Sequence, residues 1–250
     1  MLNQQTIDKL RDLRLGGMLL ALVEQEENPE YDKLSFEERF GFLVDREWTE
    51  KRSKKLKNRV SKAKFRERAV IEDVDYSPER KLDRYQILNL AQPEWIKNNL
   101  NVITIGATGT GKTYLACAIG KSACQNGFTV RYYQTSKLLR EIQKTTIEGT
   151  YTSFLKKLSK IDLLIIDDWL LDELNLSFTR AFLEIIDDKF NNGSIIFSTQ
   201  LPVSEWYSRF KDPTLADAIM DRVVHSAYKI DINGPSIRKK RGKKLTQSCQ

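Results

Sequence analysis

The stretch VITIGATGTGKT, at residues 102–113, decides the fold. A β-branched apolar run leads directly into a glycine-rich loop that ends in lysine and threonine. The spacing of Gly106, Gly111, Lys112 and Thr113 is that of a phosphate-binding loop. An amphipathic stretch at 114–125 follows, which completes the strand, loop and helix order that such a loop requires. The pattern therefore predicts a site for a nucleoside triphosphate.

Each residue type in this loop has an expected chemical role. The glycines are expected to take positive φ and to let backbone N–H groups converge on phosphate oxygens. Lys112 is expected to place its charge on the β and γ phosphates, and Thr113 to offer its hydroxyl to Mg²⁺, while the helix dipole favours the anion. The predicted nucleotide contacts are Gly106, Ala107, Thr108, Gly109, Thr110, Gly111, Lys112, Thr113 and Tyr114.

Two later strands are predicted to end at the same site. Residues 161–168, IDLLIIDD, form a buried strand that ends in two carboxylates. Asp167 is expected to hold the Mg²⁺ water shell, and Asp168 to act as general base toward an attacking water, although two adjacent acids also suit a plain turn. Gln200 follows the strand at 194–199 and is predicted either to contact the γ-phosphate or the attacking water, or only to cap the strand.

The order of elements predicts an α/β fold with an appended helical domain. Strands and helices alternate over 100–232, which is typical of a parallel sheet covered by helices on both faces. The expected domains are a helical N-terminal domain at 1–68, a linker at 69–84, an ATPase core at 85–234 and a basic tail at 235–250. Ser35 followed by Glu37 and Glu38 marks a helix start in the first domain. A helical hairpin with only a packing role is the alternative interpretation of that domain.

Positive charge is segregated along the chain. The net charge is +7, yet residues 46–68 hold eleven Lys and Arg against three Glu, and residues 238–244 hold six Lys and Arg. Such clusters favour a polyanion partner, most simply double-stranded DNA or RNA, over an ordinary solvated face of mixed sign. The predicted DNA contacts are Lys51, Arg52, Lys54, Lys55, Lys57, Arg59, Lys62 and Lys64.

Composition bounds the remaining possibilities. No apolar stretch approaches the roughly 20 residues of a membrane span, so the protein is expected to be soluble and cytoplasmic. Cys117, Cys124 and Cys249 show no metal-ligand spacing, and the first two lie on the predicted helix after the loop. Core packing in a reducing compartment is the favoured role for these cysteines.

Several motifs taken together resemble a known family. They are GATGTGKT, LLIIDDW, STQLP with a Trp four residues later, DPTLADAIMDRVVHSAYKI and the C-terminal GPSIRKKR. In this combination the chain resembles the IstB family, the AAA+ helper ATPases encoded beside the transposase in one class of bacterial insertion sequences. The resemblance covers nearly the whole chain, and DPTLADAIMDRVVHSA is its most specific part.

The resemblance implies both an activity and a set of roles. It implies an ATP-dependent, DNA-binding oligomer, a ring or filament with the ATP site at the subunit interface, which engages the transposase. Hydrolysis is expected to be slow, because Asp168 is one methylene shorter than Glu. Lys112 and Thr113 match Walker A, Asp167 matches the Walker B metal residue, and Asp168 stands where many AAA+ proteins have Glu. Gln200 falls at the sensor position. Arg222 matches the arginine finger that completes a neighbouring subunit's site. The helical lid of most AAA+ proteins is expected to be absent, and Arg238 is the candidate substitute for the sensor arginine of that lid.

Two other functions remain as alternatives. A helicase loader of the DnaC type shares the lidless AAA+ core and acts through protein contacts of its N-terminal domain. A small-molecule kinase needs a substrate pocket and a closing lid, for which the sequence shows no candidate, and the basic segments on both sides of the core argue against it.

Overall fold

The computed structural model of the chain describes residues 4–237, so the basic segment 238–244, Arg238 and Cys249 lie outside the described residues. The described chain forms two compact units that divide between Asn58 and Arg59. Among residues 4–237, none of the helices has the length and apolar character that a membrane span requires.

The first unit consists of helices. The structure has α1 (Gln4–Asp12), α2 (Gly16–Glu27) and the long α3 (Phe36–Ala63), whose last residues belong to the second unit. The predicted helix start is confirmed, because the Ser35 amide donates to the Glu38 carboxylate at 2.8 Å and the Glu38 amide donates to the Ser35 hydroxyl at 3.3 Å. This reciprocal capping box fixes the first turn of α3. Glu47 on α3 is buried and accepts from the Met18 amide at 3.0 Å, which ties α2 to α3.

The second unit is an α/β fold. Its strands are β1 (Asn101–Ile105), β2 (Val130–Gln134), β3 (Leu163–Asp167), β4 (Ser194–Thr199) and β5 (Ala227–Asp231). Its helices are α4 (Arg84–Ala91), α5 (Glu94–Lys97), α6 (Lys112–Gln125), α7 (Thr135–Ile147), α8 (Tyr151–Ser159), α9 (Leu176–Phe190) and α10 (Pro213–Val224).

All five strands pair in parallel in the order β2-β3-β4-β1-β5. Parallel strands need helical crossovers, which cover both faces and bury the aliphatic runs. Leu164 and Ile166 of β3 point into a core with α7, α8, α9 and α10, whereas Ile165 packs close to Gly120 of α6 on the other face. The α/β P-loop fold predicted from the sequence is confirmed.

This topology places the site. The loop between β1 and α6, Asp167 at the end of β3 and Thr199 at the end of β4 all lie at the carboxyl edge of the sheet. Ligands of open α/β sheets bind at this edge, where the strand order reverses direction. Cys117 and Cys124 of α6 are free and buried, as predicted, and burial raises the pKa of each thiol to about 11.

Candidate nucleotide site

The phosphate loop follows β1, and its lysine is the first residue of α6. The Lys112 side chain is buried, and its ammonium donates to the carbonyls of Gly106 at 2.8 Å and Ala107 at 2.9 Å. These carbonyls hold the ammonium within the loop, beside the N-terminal end of α6. The loop therefore combines a cation with a helix N-terminus, and both attract phosphate.

The loop glycines are required for two different reasons. Gly109 has φ +79° and Gly111 has φ +108°, as predicted. Gly106 does not share the positive φ, so that part of the prediction is wrong for this residue. The absence of a Cβ at Gly106 instead leaves room for the backbone carbonyl of Ile232, the residue that follows β5 and packs against the loop.

Asp167, at the end of β3, lies directly against the loop helix. Its Oδ2 accepts from the Thr113 hydroxyl at 2.8 Å and from the Tyr132 hydroxyl at 2.7 Å, and the side chain is 1% exposed. Burial, together with the Asp167 charge, raises the pKa of Tyr132, so Tyr132 remains a hydrogen-bond donor. The two residues predicted to hold the metal are thus brought together.

The carboxylate of Asp167 fits a divalent cation. Its Oδ1 is buried and has no hydrogen-bond partner, which is an unusual state for a charged oxygen. An oxygen of this kind beside a threonine hydroxyl matches the ligands that Mg²⁺ prefers. In residues 4–237, no group of three or more His, Cys, Asp or Glu could hold a metal ion, so a cation here would depend on phosphate and water oxygens as well.

Asp168 has a strained backbone. Its φ is +57°, which Asp tolerates better than most residues, and the Trp169 amide after it donates to the Ser198 carbonyl at 2.8 Å. This turn directs the Asp168 side chain into the cavity. There its Oδ2 accepts from the Gln134 amide nitrogen at 2.7 Å, so the end of β2 holds the predicted general base.

Gln200 is placed by the end of β4. The Thr199 hydroxyl donates to the Trp169 carbonyl at 2.9 Å and accepts from the Leu201 amide at 3.1 Å, which fixes the backbone on both sides of Gln200. Gln200 lines the same cavity as Lys112 and Asp168. The three side chains that the sequence assigned to phosphate chemistry therefore share one space.

The cavity has a volume of about 390 Å³. Of the predicted nucleotide contacts, Thr108, Gly109, Gly111, Lys112, Thr113 and Tyr114 line it. Gly106, Ala107 and Thr110 do not line it and instead hold the loop together; the Thr110 hydroxyl, for example, donates to the Ala107 carbonyl at 2.9 Å. Further walls come from residues that the sequence had not singled out: Arg66, Glu67, Asp73, Asp75, Arg80, Leu171 and Ile237.

Arg80 links three segments around the loop. It is 1% exposed, and its guanidinium donates to the Thr110 carbonyl at 3.0 Å, to the Asn233 carbonyl at 3.3 Å and to Asp75 at 3.3 Å. The chain after β5 continues onto the loop, where the Ile237 amide donates to the Gly109 carbonyl at 2.9 Å. The segment predicted to be a linker thus forms part of the cavity wall.

Arg222 lies far from the phosphate loop of its own chain. Its carbonyl accepts from Asn101, the first residue of β1, whereas the loop follows the last residue of that strand. At about 3.3 Å per residue, β1 separates them by roughly 13 Å. The guanidinium forms a close ion pair with Asp187 of α9 and donates to the Ala218 carbonyl at 2.9 Å.

The predicted DNA contacts all lie on or just after α3. Lys51, Arg52, Lys54, Lys55 and Lys57 belong to the first compact unit, and Arg59, Lys62 and Lys64 belong to the second. All are exposed except Arg59, which is half-buried and donates to the Cys124 carbonyl at 3.5 Å. Lys51 pairs with Glu47 at 3.1 Å, and the Arg52 guanidinium stacks over the Trp48 ring at 4.9 Å.

Sequence reasoning missed four polar residues of this site. Gln134 and Tyr132 contact the two acids from β2, Arg66 approaches both acids, and Arg80 holds the loop. Only Gln134 carried a usable signal, because a polar residue at the carboxyl end of a parallel strand is expected at a binding edge.

Comparisons with known proteins agree with this geometry. The chain matches the family of IstB-like ATP binding proteins over residues 8–245. It is 40% identical over 244 residues to a Sinorhizobium fredii protein described as an insertion sequence ATP-binding protein, y4pL, covering 98% of this chain and 100% of the relative.

Solved structures share the fold at low identity. AMPPCP-bound DnaA from Aquifex aeolicus has a TM-score of 0.58 at 18% identity, covering 74% of this chain and 56% of DnaA. A crystal structure of DnaI has a TM-score of 0.56 at 22% identity, covering 66% of this chain and 92% of DnaI. The fold is that of the AAA+ P-loop ATPases, and the chain belongs to the family of IstB-like ATP binding proteins encoded by insertion sequences.

Proposed function

We propose that this protein is an ATP-dependent, DNA-binding regulator of transposition, which oligomerises on target DNA with ATP and recruits or stimulates the partner transposase. The observation that carries the proposal is the cavity lined by Lys112, Thr113, Asp168 and Gln200, with the buried Asp167 bonded to Thr113 beside it. Family membership supplies the insertion-sequence context, in which a transposase is the natural partner.

Slow hydrolysis of ATP is the proposed reaction. Water attacks the γ-phosphorus, the bond to the bridging oxygen breaks, ADP leaves, and Asp168 accepts the proton of the water. Lys112 neutralises charge on the β and γ phosphates, and Gln200 orients the water or the γ-phosphate. Mg²⁺, held through Thr113 and Asp167, would neutralise charge that develops on the phosphates.

The contacts of Asp168 support a low basal rate. Its Oδ2 accepts from Gln134 and faces Arg66, so one of its two oxygens is engaged before any water reaches it. That oxygen must change partners before it accepts a proton. DNA or the transposase is the proposed trigger that frees Asp168 for hydrolysis. The ATP-bound state then lasts until that trigger arrives, so that it acts as a timing switch.

DNA is proposed to lie along α3. Lys54, Lys55 and Lys57 are exposed, and residues 51–66 contain no Asp or Glu, unlike an ordinary solvated helix face of mixed charge. Phosphate contacts of this type hold duplex DNA with little base readout and are weakened by salt. Ordered assembly along DNA additionally requires contacts between copies, for which Arg222 is the proposed interface residue.

A DnaC-like helicase loader is the second candidate, and the structural likeness to DnaI favours it at the level of the fold. The family match supports a role in transposition over that of a loader. The two functions differ in their target, because a loader acts on a replicative helicase and the transposition regulator acts on DNA and a transposase.

The test is binding to a fluorescent duplex of about 50 base pairs, measured without nucleotide and with ADP, ATP or a non-hydrolysable analogue. Particle mass is followed in the same samples. Tight binding and a large assembly are expected only with the triphosphates, and Lys112→Ala is expected to abolish both. A monomer that binds DNA equally in every nucleotide state contradicts the proposal and favours the loader.

The basic surface is tested with a matched pair of triple variants. Lys54, Lys55 and Lys57 are changed to Ala in one protein, and Lys156, Lys157 and Lys160, which are exposed on or beside α8, in the other. We expect the first to weaken binding by at least tenfold on unrelated sequences and to flatten its salt dependence. Equal effects of the two variants would show that only net charge matters.

A further inference from the structure

Arg66 is a cation in the nucleotide cavity that belongs to no motif. Its Nη1 lies 3.8 Å from Oδ2 of Asp167 and 3.7 Å from Oδ2 of Asp168, and its side chain is 41% exposed. It lines the cavity together with Lys112 and Thr113. It comes from the segment after α3, far in sequence from both acids.

The backbone around Arg66 is anchored on both sides. The Phe65 ring packs so closely on α6 that a Cβ on Gly120 would lie 2.7 Å from it. On the preceding side, Arg131 of β2 donates to the Lys62 carbonyl at 3.0 Å, and on the following side the Val70 amide donates to the Tyr114 hydroxyl at 3.4 Å. The long Arg66 side chain can therefore change position while its backbone stays in place.

Arg66 is more than an ordinary surface ion pair. Exposed pairs contribute little because water screens them, but Arg66 faces two carboxylates, and that of Asp167 is almost fully buried. A hydrogen bond to Tyr132 and the charges of the two acids raise the pKa of Arg66, so it remains a cation at every accessible pH. The same Tyr132 hydroxyl donates to Asp167.

A divalent cation at Asp167 would meet this positive charge. Oδ2 of Asp167 already accepts two hydrogen bonds and faces Arg66, while Oδ1 is buried without a partner. A metal ion and a guanidinium beside the same carboxylate repel each other, and the repulsion is strong where water is excluded. Phosphate oxygens that enter with the metal would offset this repulsion.

We propose that Arg66 is the resident counter-ion of the Asp167 and Asp168 pair, and that it withdraws when a divalent cation binds. Metal binding then depends on the negative charge that the nucleotide brings. Arg66 acts on the site by positioning charge and touches neither the reacting atoms nor the water. The inference rests on the metal site assigned to Asp167 and Thr113 in the proposed function.

The test measures Mn²⁺, as a substitute for Mg²⁺, binding to the nucleotide-free full chain through the electron paramagnetic resonance signal of the free ion. Arg66→Gln is expected to bind one Mn²⁺ at least tenfold more tightly than the wild type. The matched control is Arg68→Gln, which removes the same charge from an exposed residue two positions along the chain. It is expected to behave as the wild type.

Two further measurements locate the effect. The double variant with Arg66→Gln and Asp167→Asn is expected to lose the gain in Mn²⁺ affinity. In the presence of AMPPCP, the difference in Mn²⁺ affinity between Arg66→Gln and the wild type is expected to become smaller. Arg66→Met repeats the test with an apolar side chain of similar length if the glutamine variant does not fold.

Three results would overturn the inference. They are equal Mn²⁺ affinity in the wild type and both Arg66 variants, an equal gain in Arg68→Gln, and a gain that survives Asp167→Asn. None of these results depends on DNA, on assembly or on hydrolysis. A failure of the proposed function in the DNA-binding experiment is therefore distinguishable from a failure of this inference.

Discussion

At the residue scale, the backbone of Asp168 suits the short acid that stands where many AAA+ proteins carry Glu. A φ of +57° is tolerated best by short polar side chains, which bond to nearby groups, and Gln134 supplies such a bond. A glutamate here would have to adopt the same positive φ without the short link that places the Asp168 carboxylate next to Gln134.

Asp168→Asn tests the role of this carboxylate. The amide keeps an oxygen that can accept from Gln134 but cannot take a proton from water. We expect the hydrolysis rate to fall by about 10²-fold or more, the range for loss of a general base, with ATP affinity within a few fold of the wild type. Phosphate release and binding of a fluorescent ATP analogue are the two measurements. Equal rates for the variant and the wild type would remove Asp168 from the proton-transfer step.

At the element scale, much of the architecture could be predicted from local pattern. The aliphatic runs of β1, β3 and β4 and the glycine loop before α6 predicted the sheet, because buried parallel strands read as continuous apolar stretches. Ser35 predicted the start of α3 through its capping chemistry. These features depend on neighbours within a few residues in the chain.

The contacts that complete the cavity could not be predicted in this way. Arg80 contacts Asn233, 153 residues further along the chain, and Arg66 contacts Asp167 and Asp168 from the segment after α3. An arginine in a polar segment is normally a solvated surface residue, so nothing in the local sequence distinguishes these two. Only the fold brings them to the loop.

Arg80→Met tests how strongly the three segments around the loop depend on this contact. Methionine keeps much of the apolar length but leaves the carbonyls of Thr110 and Asn233 without their charged donor. Loss of buried hydrogen bonds to a charged group is expected to lower the free energy of unfolding by about 2–3 kcal/mol.

ATP affinity should fall in the same Arg80 variant, because Thr110 belongs to the phosphate loop. Arg84→Met is the matched control, since Arg84 is exposed and its guanidinium lies over the Tyr76 ring at 5.8 Å. Urea denaturation and nucleotide titration give the two quantities. If both variants lose the same stability, Arg80 has no special role in holding the loop.

At the scale of the whole molecule, the positions of Arg222 and the phosphate loop predict an active site shared between copies. The two lie at opposite ends of β1, so Arg222 cannot reach a nucleotide bound to its own chain. A neighbouring copy could receive it once the guanidinium leaves Asp187. A site shared in this way would make hydrolysis depend on assembly, in agreement with the proposed assembly on DNA.

Mixing two inactive variants distinguishes a shared site from a site within one chain. Asp168→Asn lacks the general base but keeps ATP binding and Arg222, and Arg222→Ala keeps the base but lacks the arginine. Each alone is expected to hydrolyse ATP at least tenfold more slowly than the wild type, given that a missing arginine finger costs about 10³-fold or more in other phosphoryl-transfer enzymes.

A mixture of the two variants is expected to recover a substantial part of the rate, because sites with an intact Asp168 then meet intact arginines at mixed interfaces. Arg180→Ala, a loss of the same residue type from α9, is the control for nonspecific effects of removing an arginine and should retain activity by itself. If the mixture remains as inactive as its components while assembling normally, Arg222 does not act on the neighbouring nucleotide. Its ion pair with Asp187 would then be only a structural link between α9 and α10.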